Sequence, residues 1–195
     1  MEIIFATHNP NKTKEIKSQL GTDFDVKSLL DIGFTEEIAE TEPTLEGNSL
    51  IKVRAIHSVT NKNCFADDTG LEVDALNGAP GVFSARYAGD ACDANDNINK
   101  LILALEGSTN RTARFRTVVS LILDHKEYTF EGVCEGEILL KRTGGDGFGY
   151  DPIFLPKGSD KSFAQMTIEE KTKISHRGLA IKKLIDFLKL SNYTN

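Results

Sequence analysis

The sequence predicts an α/β fold with a mixed β-sheet flanked by helices. Short apolar stretches with strand character alternate with amphipathic helical patterns, and a long hairpin over 112–138 rules out a purely parallel sheet. The chain has 195 residues, of which 39% are hydrophobic and 27% are charged. We therefore expect a single domain over 1–195 that folds without metal or disulfide staples.

The predicted elements are, in chain order, strand 2–6, helix 12–20, helix 44–60, strand 71–75, helix 93–106, strands 112–123 and 127–138, strand 152–155, a short helix from 167 and helix 175–189. Gly21 ends the first helix, because glycine readily takes the conformation that terminates helices. Thr44 begins the second helix, since its hydroxyl suits an N-cap. Strict alternation at 71–75 places Glu72 and Asp74 on one face of a strand.

The later elements follow the same rules. Apolar residues of the third helix recur at the spacing of one helical face, at Ile98, Leu101, Ile102 and Leu105. A polar interruption at 124–126 divides two β-rich runs and predicts the hairpin turn. Thr167 and Glu170 have the spacing of a capping box, which predicts a helix start.

Composition narrows the function classes. A net charge of −6 argues against a nucleic-acid binder, whose footprint is a basic face. Local basic clusters near both ends of the chain still allow a small anion such as a nucleotide. Three cysteines without a CxxC pair are a poor disulfide framework, which favours the cytoplasm. We expect no membrane partner, because no apolar run approaches the length of a membrane span.

The stretch CFADDTGLEV, residues 64–73, places Asp67 and Asp68 directly after an apolar run. Adjacent carboxylates repel each other, and burial raises that cost unless a cation or a proton compensates it. A surface turn is the ordinary alternative. If the pair is buried, one carboxylate is expected to bind Mg²⁺, which proteins hold through carboxylates and substrate phosphates. The other is then expected to be held by backbone donors.

Two loops are candidate nucleotide contacts. THNPNK, residues 7–12, joins a strand to a helix N-terminus, where free N–H groups and Lys12 would attract phosphate. An ordinary strand–helix turn with solvated lysines is the alternative. Phe148 lies in the glycine-rich loop at 143–149 and Tyr150 directly follows it. The rings of both would suit a nucleobase. The alternative for this loop is a packed hairpin.

The start of the last helix carries His176 and Arg177. The guanidinium of Arg177 keeps its charge and presents fixed donors, which suit a keto oxygen or a phosphate. A helix cap with a basic surface residue is the alternative. No GxSxG motif occurs, so we expect the chemistry to depend on carboxylates with Mg²⁺.

Taken together, these segments resemble the inosine triphosphate pyrophosphatase family. The matching stretches lie in the same order as in the family and are FATHNPNKTKE, ETEPTLEGNSLIKVRA, FADDTGLEVDALNGAPGVFSARYAG, GGDGFGYDPIF and EEKTKISHRG. The resemblance implies an elongated mixed sheet, two lobes with a central nucleotide cleft, and a homodimer. It also implies Mg²⁺-dependent cleavage of non-standard purine nucleoside triphosphates such as ITP, dITP and XTP to the monophosphate and pyrophosphate.

The resemblance also implies roles for individual residues. Asp68 matches the catalytic carboxylate, and Asp68 and Glu40 match the metal ligands. The matching substrate-binding residues are Thr7, His8, Asn9, Pro10, Asn11, Lys12, Lys52, Thr69, Phe148, Gly149, Tyr150, Asp151, Lys171, His176 and Arg177. Asp67 either supports the site or contacts the metal through water.

The chain departs from the family pattern at two places. Asn11 stands where the family usually has glycine, and we expect it to take the left-handed conformation that Asn tolerates. Gly47 replaces a glutamate, which puts the start of the second helix in question. Two alternatives stay open: a nucleotide pyrophosphatase of different base preference, and a module that senses purine nucleotides without turnover.

Overall fold

The computed structural model describes residues 1–21 and 23–191. Its helices and strands are β1 Glu2–Phe5, α1 Pro10–Leu20, β2 Asp25–Ser28, α2 Leu45–Thr60, β3 Cys64–Val73, β4 Pro80–Gly81, α3 Ala94–Ala104, β5 Thr112–Leu123, β6 Lys126–Ile138, β7 Phe154–Pro156, α4 Ile168–Ile174 and α5 His176–Leu190. The sheet has the order β2-β1-β3-β5-β6-β7, with β4 paired to β3. Parallel pairs at β1 coexist with antiparallel pairs at β4 and β7. The predicted mixed α/β class is confirmed.

The chain divides into two compact units. Unit 1 comprises Met1–Asp68, Thr117–Gly132 and the residues from Arg177 onward, and unit 2 comprises Thr69–Arg116 and Val133–His176. The central nucleotide cleft implied by the family resemblance stays a prediction. No helix of the described residues combines the length and apolar character that crossing a bilayer requires.

Unit 1 has two buried clusters that share the strands of the sheet. Phe65 of β3 packs in one cluster with Ile16 of α1 and Leu184 of α5. Its neighbour Ala66 packs in the other with Val53 of α2. Successive side chains of a strand point to opposite faces of the sheet. Odd-numbered residues of β3 at this point therefore face α1 and α5, and even-numbered residues face α2.

Unit 2 has a core of aromatic rings. Phe115 of β5 lies edge-on to Phe154 of β7, with ring centroids 4.7 Å apart, and Phe163 packs against both. The ring of His176 stacks on Phe115 at 4.5 Å, and His176 is only 3% exposed. His176 is thus packed among the aromatic rings of this unit.

Three predictions from the sequence are confirmed in the structure. Thr44 caps α2 by accepting from the backbone N–H of Gly47. Thr167 and Glu170 form the capping box of α4. Asp124 and His125 both have positive φ, as a two-residue hairpin turn of type I′ requires.

Other boundaries were predicted wrongly. The expected strand 71–75 is the end of β3, which starts at Cys64 and runs through both aspartates, so the strand does not end on them. The chain turns into a 3₁₀ helix at Asp74–Leu76. Asp151–Ile153 is also 3₁₀, so the expected strand 152–155 begins only at Phe154. The short strands β2 and β4 were not predicted, because two to four residues carry too little periodicity.

We predict that Gly70→Ala destabilises the protein by about 1–3 kcal/mol, because a Cβ there would overpack a rigid contact. It would lie 2.7 Å from the carbonyl oxygen of Gly81, where β3 pairs with β4, and backbone atoms cannot move aside like a side chain. Urea unfolding measures the loss. Gly145→Ala is the matched control, since its Cβ would meet nothing within 4 Å. Equal stability of the two variants would contradict the proposed strand contact.

Candidate active site

Asp67 lies at the centre of a buried charge network in unit 1. Its Oδ1 accepts from Lys12 Nζ at 2.9 Å, and its Oδ2 accepts from Arg177 Nε at 3.1 Å. Arg177 Nη1 also donates to Glu15 at 2.6 Å. The side chains of Asp67 and Arg177 are 1% and 3% exposed. The acid expected to need backbone donors is therefore held by two cationic side chains.

These cations determine the charge state of Asp67. Burial favours the neutral acid, but Lys12 and Arg177 outweigh it and lower the pKa of Asp67. Burial also lowers the pKa of Lys12, although Asp67 opposes that shift. An ionised Asp67 with two positive partners is the arrangement that a buried carboxylate requires.

Asp68 has a separate set of partners. Lys52 of α2 donates to Asp68 Oδ1 at 3.3 Å and to Glu40 Oε1 at 2.6 Å. Burial disfavours the Lys52 charge, but Asp68 and then Glu40 raise its pKa overall. Burial raises the pKa of Asp68, and Lys52 offsets this only in part. Asp68 is thus a carboxyl group with a higher proton affinity than its neighbour Asp67.

Strand geometry explains why the two aspartates tolerate each other. Asp67 continues the face of Phe65 toward α1 and α5, which supply Lys12 and Arg177. Asp68 continues the face of Ala66 toward α2, which supplies Lys52. Side chains on opposite faces of a strand can each be neutralised by a different helix.

The segment before α2 positions Glu40. Asn48, on the first turns of α2, accepts from the backbone N–H of Glu42 through its buried side chain at 2.9 Å. A Cβ at Gly47 would lie 2.5 Å from the Cβ of Glu42. The glycine that departs from the family pattern therefore lets the segment carrying Glu40 lie close against the helix.

The strand–helix loop has a tighter structure than the sequence predicted. The side chain of Asn9 accepts from the backbone N–H groups of Asn11 and Lys12, and Pro10 occupies the first turn. Thr7 Oγ1 accepts from the N–H of Asn9 at 3.1 Å. Two N–H groups that we expected to bind phosphate are therefore engaged by the N-cap. Asn11 is helical, so the expected left-handed conformation is wrong.

Two further residues of this region are accounted for. His8 is exposed and hydrogen-bonds through Nε2 to the carbonyl of Phe34 at 3.0 Å. Lys12 keeps its side chain 16% exposed. Of the loop residues, Lys12 is the one that the structure joins directly to the charge network.

The residues around Asp68 fit a magnesium ion. Asp68 is 6% exposed, and its Oδ2 has no hydrogen-bond partner among the described residues. A buried carboxylate oxygen without a donor is costly unless a ligand completes its interactions. Mg²⁺ is typically bound through one or two carboxylates plus substrate phosphates, and Asp68 with Glu40 supplies such a pair. Among the described residues, no three His, Cys, Asp or Glu side chains group to hold a metal.

In unit 2, a buried ion pair supports the glycine-rich loop. Asp151 Oδ2 accepts from Lys171 Nζ at 2.7 Å and from the backbone N–H of Phe148 at 2.8 Å. The Lys171 ammonium also lies 4.8 Å from the centre of the Phe148 ring. A Cβ at Gly147 would lie 2.9 Å from the Cβ of Asp151. The loop therefore needs a glycine at 147 to close over its carboxylate.

The remaining predicted contacts of unit 2 differ in exposure. Phe148, Gly149 and Thr69 are half-buried. Tyr150 is 5% exposed and donates its hydroxyl to the carbonyl of Ser84 at 2.9 Å. Its ring belongs to the buried core rather than to the surface of the loop. Of the two rings expected to face a base, Tyr150 is therefore buried and Phe148 is half-buried.

Sequence reasoning missed three residues that shape these sites. Glu15 binds Arg177, Asn48 holds the segment with Glu40, and Ser84 anchors Tyr150. The position of Glu15 beside Lys12 could have been predicted, because the two residues lie three apart on a predicted helix and therefore share one face. Asn48 and Ser84 act through backbone groups distant in sequence, which no local pattern indicates.

Comparisons with known proteins agree on one family. Residues 3–187 match the model of the Ham1 family. The chain is 51% identical to the dITP/XTP pyrophosphatase of Flavobacterium johnsoniae, covering 96% of this chain and 98% of that protein. It is 50% identical to the dITP/XTP pyrophosphatase of Bacillus subtilis, covering 96% of each. The solved structure of the Staphylococcus aureus Ham1 protein has 40% identity and a TM-score of 0.89 over 98% of this chain and all of its own.

We predict that Asp67→Asn lowers the free energy of unfolding by about 3–5 kcal/mol at neutral pH, because it leaves Lys12 and Arg177 undercompensated. The pKa of Asp67 is lowered from its ordinary value of 3.8, so its contribution is present above pH 3.8 and is lost as the pH falls further. The difference between wild type and variant should be constant from about pH 8 to 5 and shrink below about pH 4. Urea unfolding across this range measures it.

The control for this prediction is Glu127→Gln. Glu127 forms a bidentate but exposed pair with Arg54, and exposed pairs contribute about 0–1 kcal/mol. A loss at Asp67 no larger than at Glu127 would contradict the buried network.

Proposed function

We propose that this chain, which belongs to the Ham1 family, hydrolyses non-standard purine nucleoside triphosphates to the monophosphate and pyrophosphate. Relatives with 50% and 51% sequence identity over 96% of this chain are named dITP/XTP pyrophosphatase. The observation that carries the proposal is the buried Asp68, whose Oδ2 lacks a partner among the described residues and lies on a carboxylate paired with Lys52. ITP, dITP and XTP are the proposed substrates.

The lysines of unit 1 suit the triphosphate. Lys12 and Lys52 carry the ammonium groups that would bind its oxygens, and each is held in place by a carboxylate. Such preset charges stabilise a leaving group without reorganising during the reaction. Pyrophosphate would leave against these lysines after attack at the α-phosphorus.

Asp68 is proposed to take the proton from the attacking water. A general base works best when its pKa lies near the pH at which the enzyme operates. Burial raises the pKa of Asp68. Lys52 pairs with Asp68 Oδ1, whereas Oδ2 has no donor among the described residues, so Oδ2 is the atom proposed to accept the proton. Asp67, whose pKa is lowered by Lys12 and Arg177, is unsuited to that role.

Asp68 and Glu40 are the residues that would hold Mg²⁺. The ion would supply positive charge for the phosphate oxygens and the departing pyrophosphate. The loop from Thr7 to Lys12 is connected to the charge network of Asp67 through the side chain of Lys12.

The base is proposed to bind at the loop Phe148–Asp151 with Lys171, as the family pattern implies. Phe148 supplies the half-buried ring, and Asp151 with Lys171 holds the loop backbone. Hypoxanthine and xanthine present an acceptor oxygen at C6, whereas adenine presents a donor. We expect ITP and XTP to be good substrates, GTP a poor one and ATP the poorest. A cytoplasmic homodimer stays a prediction.

One experiment tests the function. The protein is incubated with ITP, dITP, XTP, GTP and ATP, each with Mg²⁺ and with EDTA, and pyrophosphate and orthophosphate are quantified separately. Pyrophosphate from ITP and XTP that disappears with EDTA is the expected result. Nucleotide binding without pyrophosphate release would favour the sensing module, and orthophosphate would exclude cleavage at the α-phosphorus.

Asp68→Asn is predicted to reduce kcat by about 10²–10⁴, because it removes the proton acceptor and a ligand charge while keeping the side-chain shape. Nucleotide affinity should change far less. Steady-state kinetics with ITP and an equilibrium binding assay separate the two quantities. Near wild-type turnover would exclude Asp68 as the base.

Arg177→Lys is predicted to lower ITP and ATP turnover by similar factors. The sequence left a keto oxygen of the base or a phosphate as the partner of Arg177, and a contact with the base would narrow the ITP-to-ATP gap on substitution. In the structure, two of its guanidinium nitrogens bind the carboxylates of Asp67 and Glu15, and lysine cannot reproduce that fork. Turnover measured with both nucleotides decides between these roles.

A further inference from the structure

We infer that Glu15 is a positioning residue for Lys12, acting through Arg177 and Asp67. The inference rests on the proposed function, because it assigns Glu15 to the phosphate-binding side of that site. The links are three hydrogen-bonded ion pairs: Glu15 to Arg177 at 2.6 Å, Arg177 to Asp67 at 3.1 Å, and Asp67 to Lys12 at 2.9 Å.

The links form a closed cycle. Lys12 and Glu15 lie three residues apart on α1 and therefore share one face of the helix. Asp67 on β3 and Arg177 at the start of α5 complete the circuit back to Lys12. The helix backbone thus fixes the distance between the first and last members, and each side chain is held from two sides.

Charge balance makes Glu15 necessary. The cycle contains two cations and two anions, and the Arg177 side chain is 3% exposed. Without Glu15, Arg177 would draw more strongly on the carboxylate of Asp67, which it shares with Lys12. Arg177 would prevail, because it is buried and its planar fork suits bidentate binding. Lys12, whose side chain is more exposed, would lose its fixed position.

The packing of α1 against α5 does not rest on Glu15 alone. Gln19, one turn further along α1, donates to the carbonyl of Gly178 at 2.7 Å and joins α1 to α5 by itself. Ile16 and Leu20 on the same helix are buried in the cluster that includes α5. Glu15→Gln keeps the side-chain shape and removes only the charge, so the variant should fold.

The first test measures Lys12 directly and needs no nucleotide. Wild type and Glu15→Gln are treated with a trace of acetylating reagent, and the rate at each lysine is read by mass spectrometry. Acetylation of Lys12 should rise about threefold or more, because a lysine released from its carboxylate reacts faster. Lys14, exposed on the same helix, is the internal control, and Glu127→Gln is the control variant. An unchanged rate at Lys12 would overturn the inference.

The second test is a double-mutant cycle in turnover. Glu15→Gln should lower kcat/KM for ITP about tenfold or more, since small displacements of a positioned group cost that much. Added to Lys12→Ala, it should cost no more than about a further factor of two, because the two changes remove one interaction. Losses that multiply would show that Glu15 acts independently of Lys12 and would overturn the inference. Absence of pyrophosphatase activity in the wild type would refute the proposed function, while the acetylation result would still decide the role of Glu15.

Discussion

The alternation of side chains along β3 is the constraint on which the proposed site depends. Two neighbouring aspartates in a buried strand would be untenable if they shared one environment. Because they point to opposite faces, Asp67 meets Lys12 and Arg177, whereas Asp68 meets Lys52. Asp67 is thereby held in its ionised form by two cations, and Asp68 keeps one oxygen without a donor among the described residues. The difference between the surroundings of Asp67 and Asp68 follows from strand geometry alone.

Much of this arrangement was predictable from the sequence. The helices, the hairpin and the capping box at Thr167 follow from periodicity and turn chemistry, which are local properties. The face assignment at β3 was also available, since Phe65 and Asp67 share one parity and Ala66 and Asp68 the other. A strand was nevertheless predicted only over 71–75, beyond the acids, because adjacent carboxylates disfavour a buried strand. Long-range charge compensation overrode that local preference.

The other contacts of the site could not be predicted from the sequence, because they join residues that are far apart in the chain. Arg177 and Tyr150 looked like ligand-facing groups, because an arginine at a helix start and an aromatic ring beside glycines have that appearance. Their partners, Glu15 and Ser84, lie 162 and 66 residues away in sequence. A polar side chain reveals its role only when its partner is known. The sequence identified the residue types that matter and left open which of them contact one another.

The glycine-rich loop of unit 2 also limits how this protein can diverge. Position 147 is closed to any residue with a side chain, because the Asp151 carboxylate occupies the space. Position 149 has a positive φ of 59° but open surroundings, so asparagine or aspartate would fit there with little strain. Substitutions that adapt the loop to a new ligand would therefore be tolerated at position 149 and not at position 147. Within this loop, a position that requires glycine lies two residues before one that has room for a side chain.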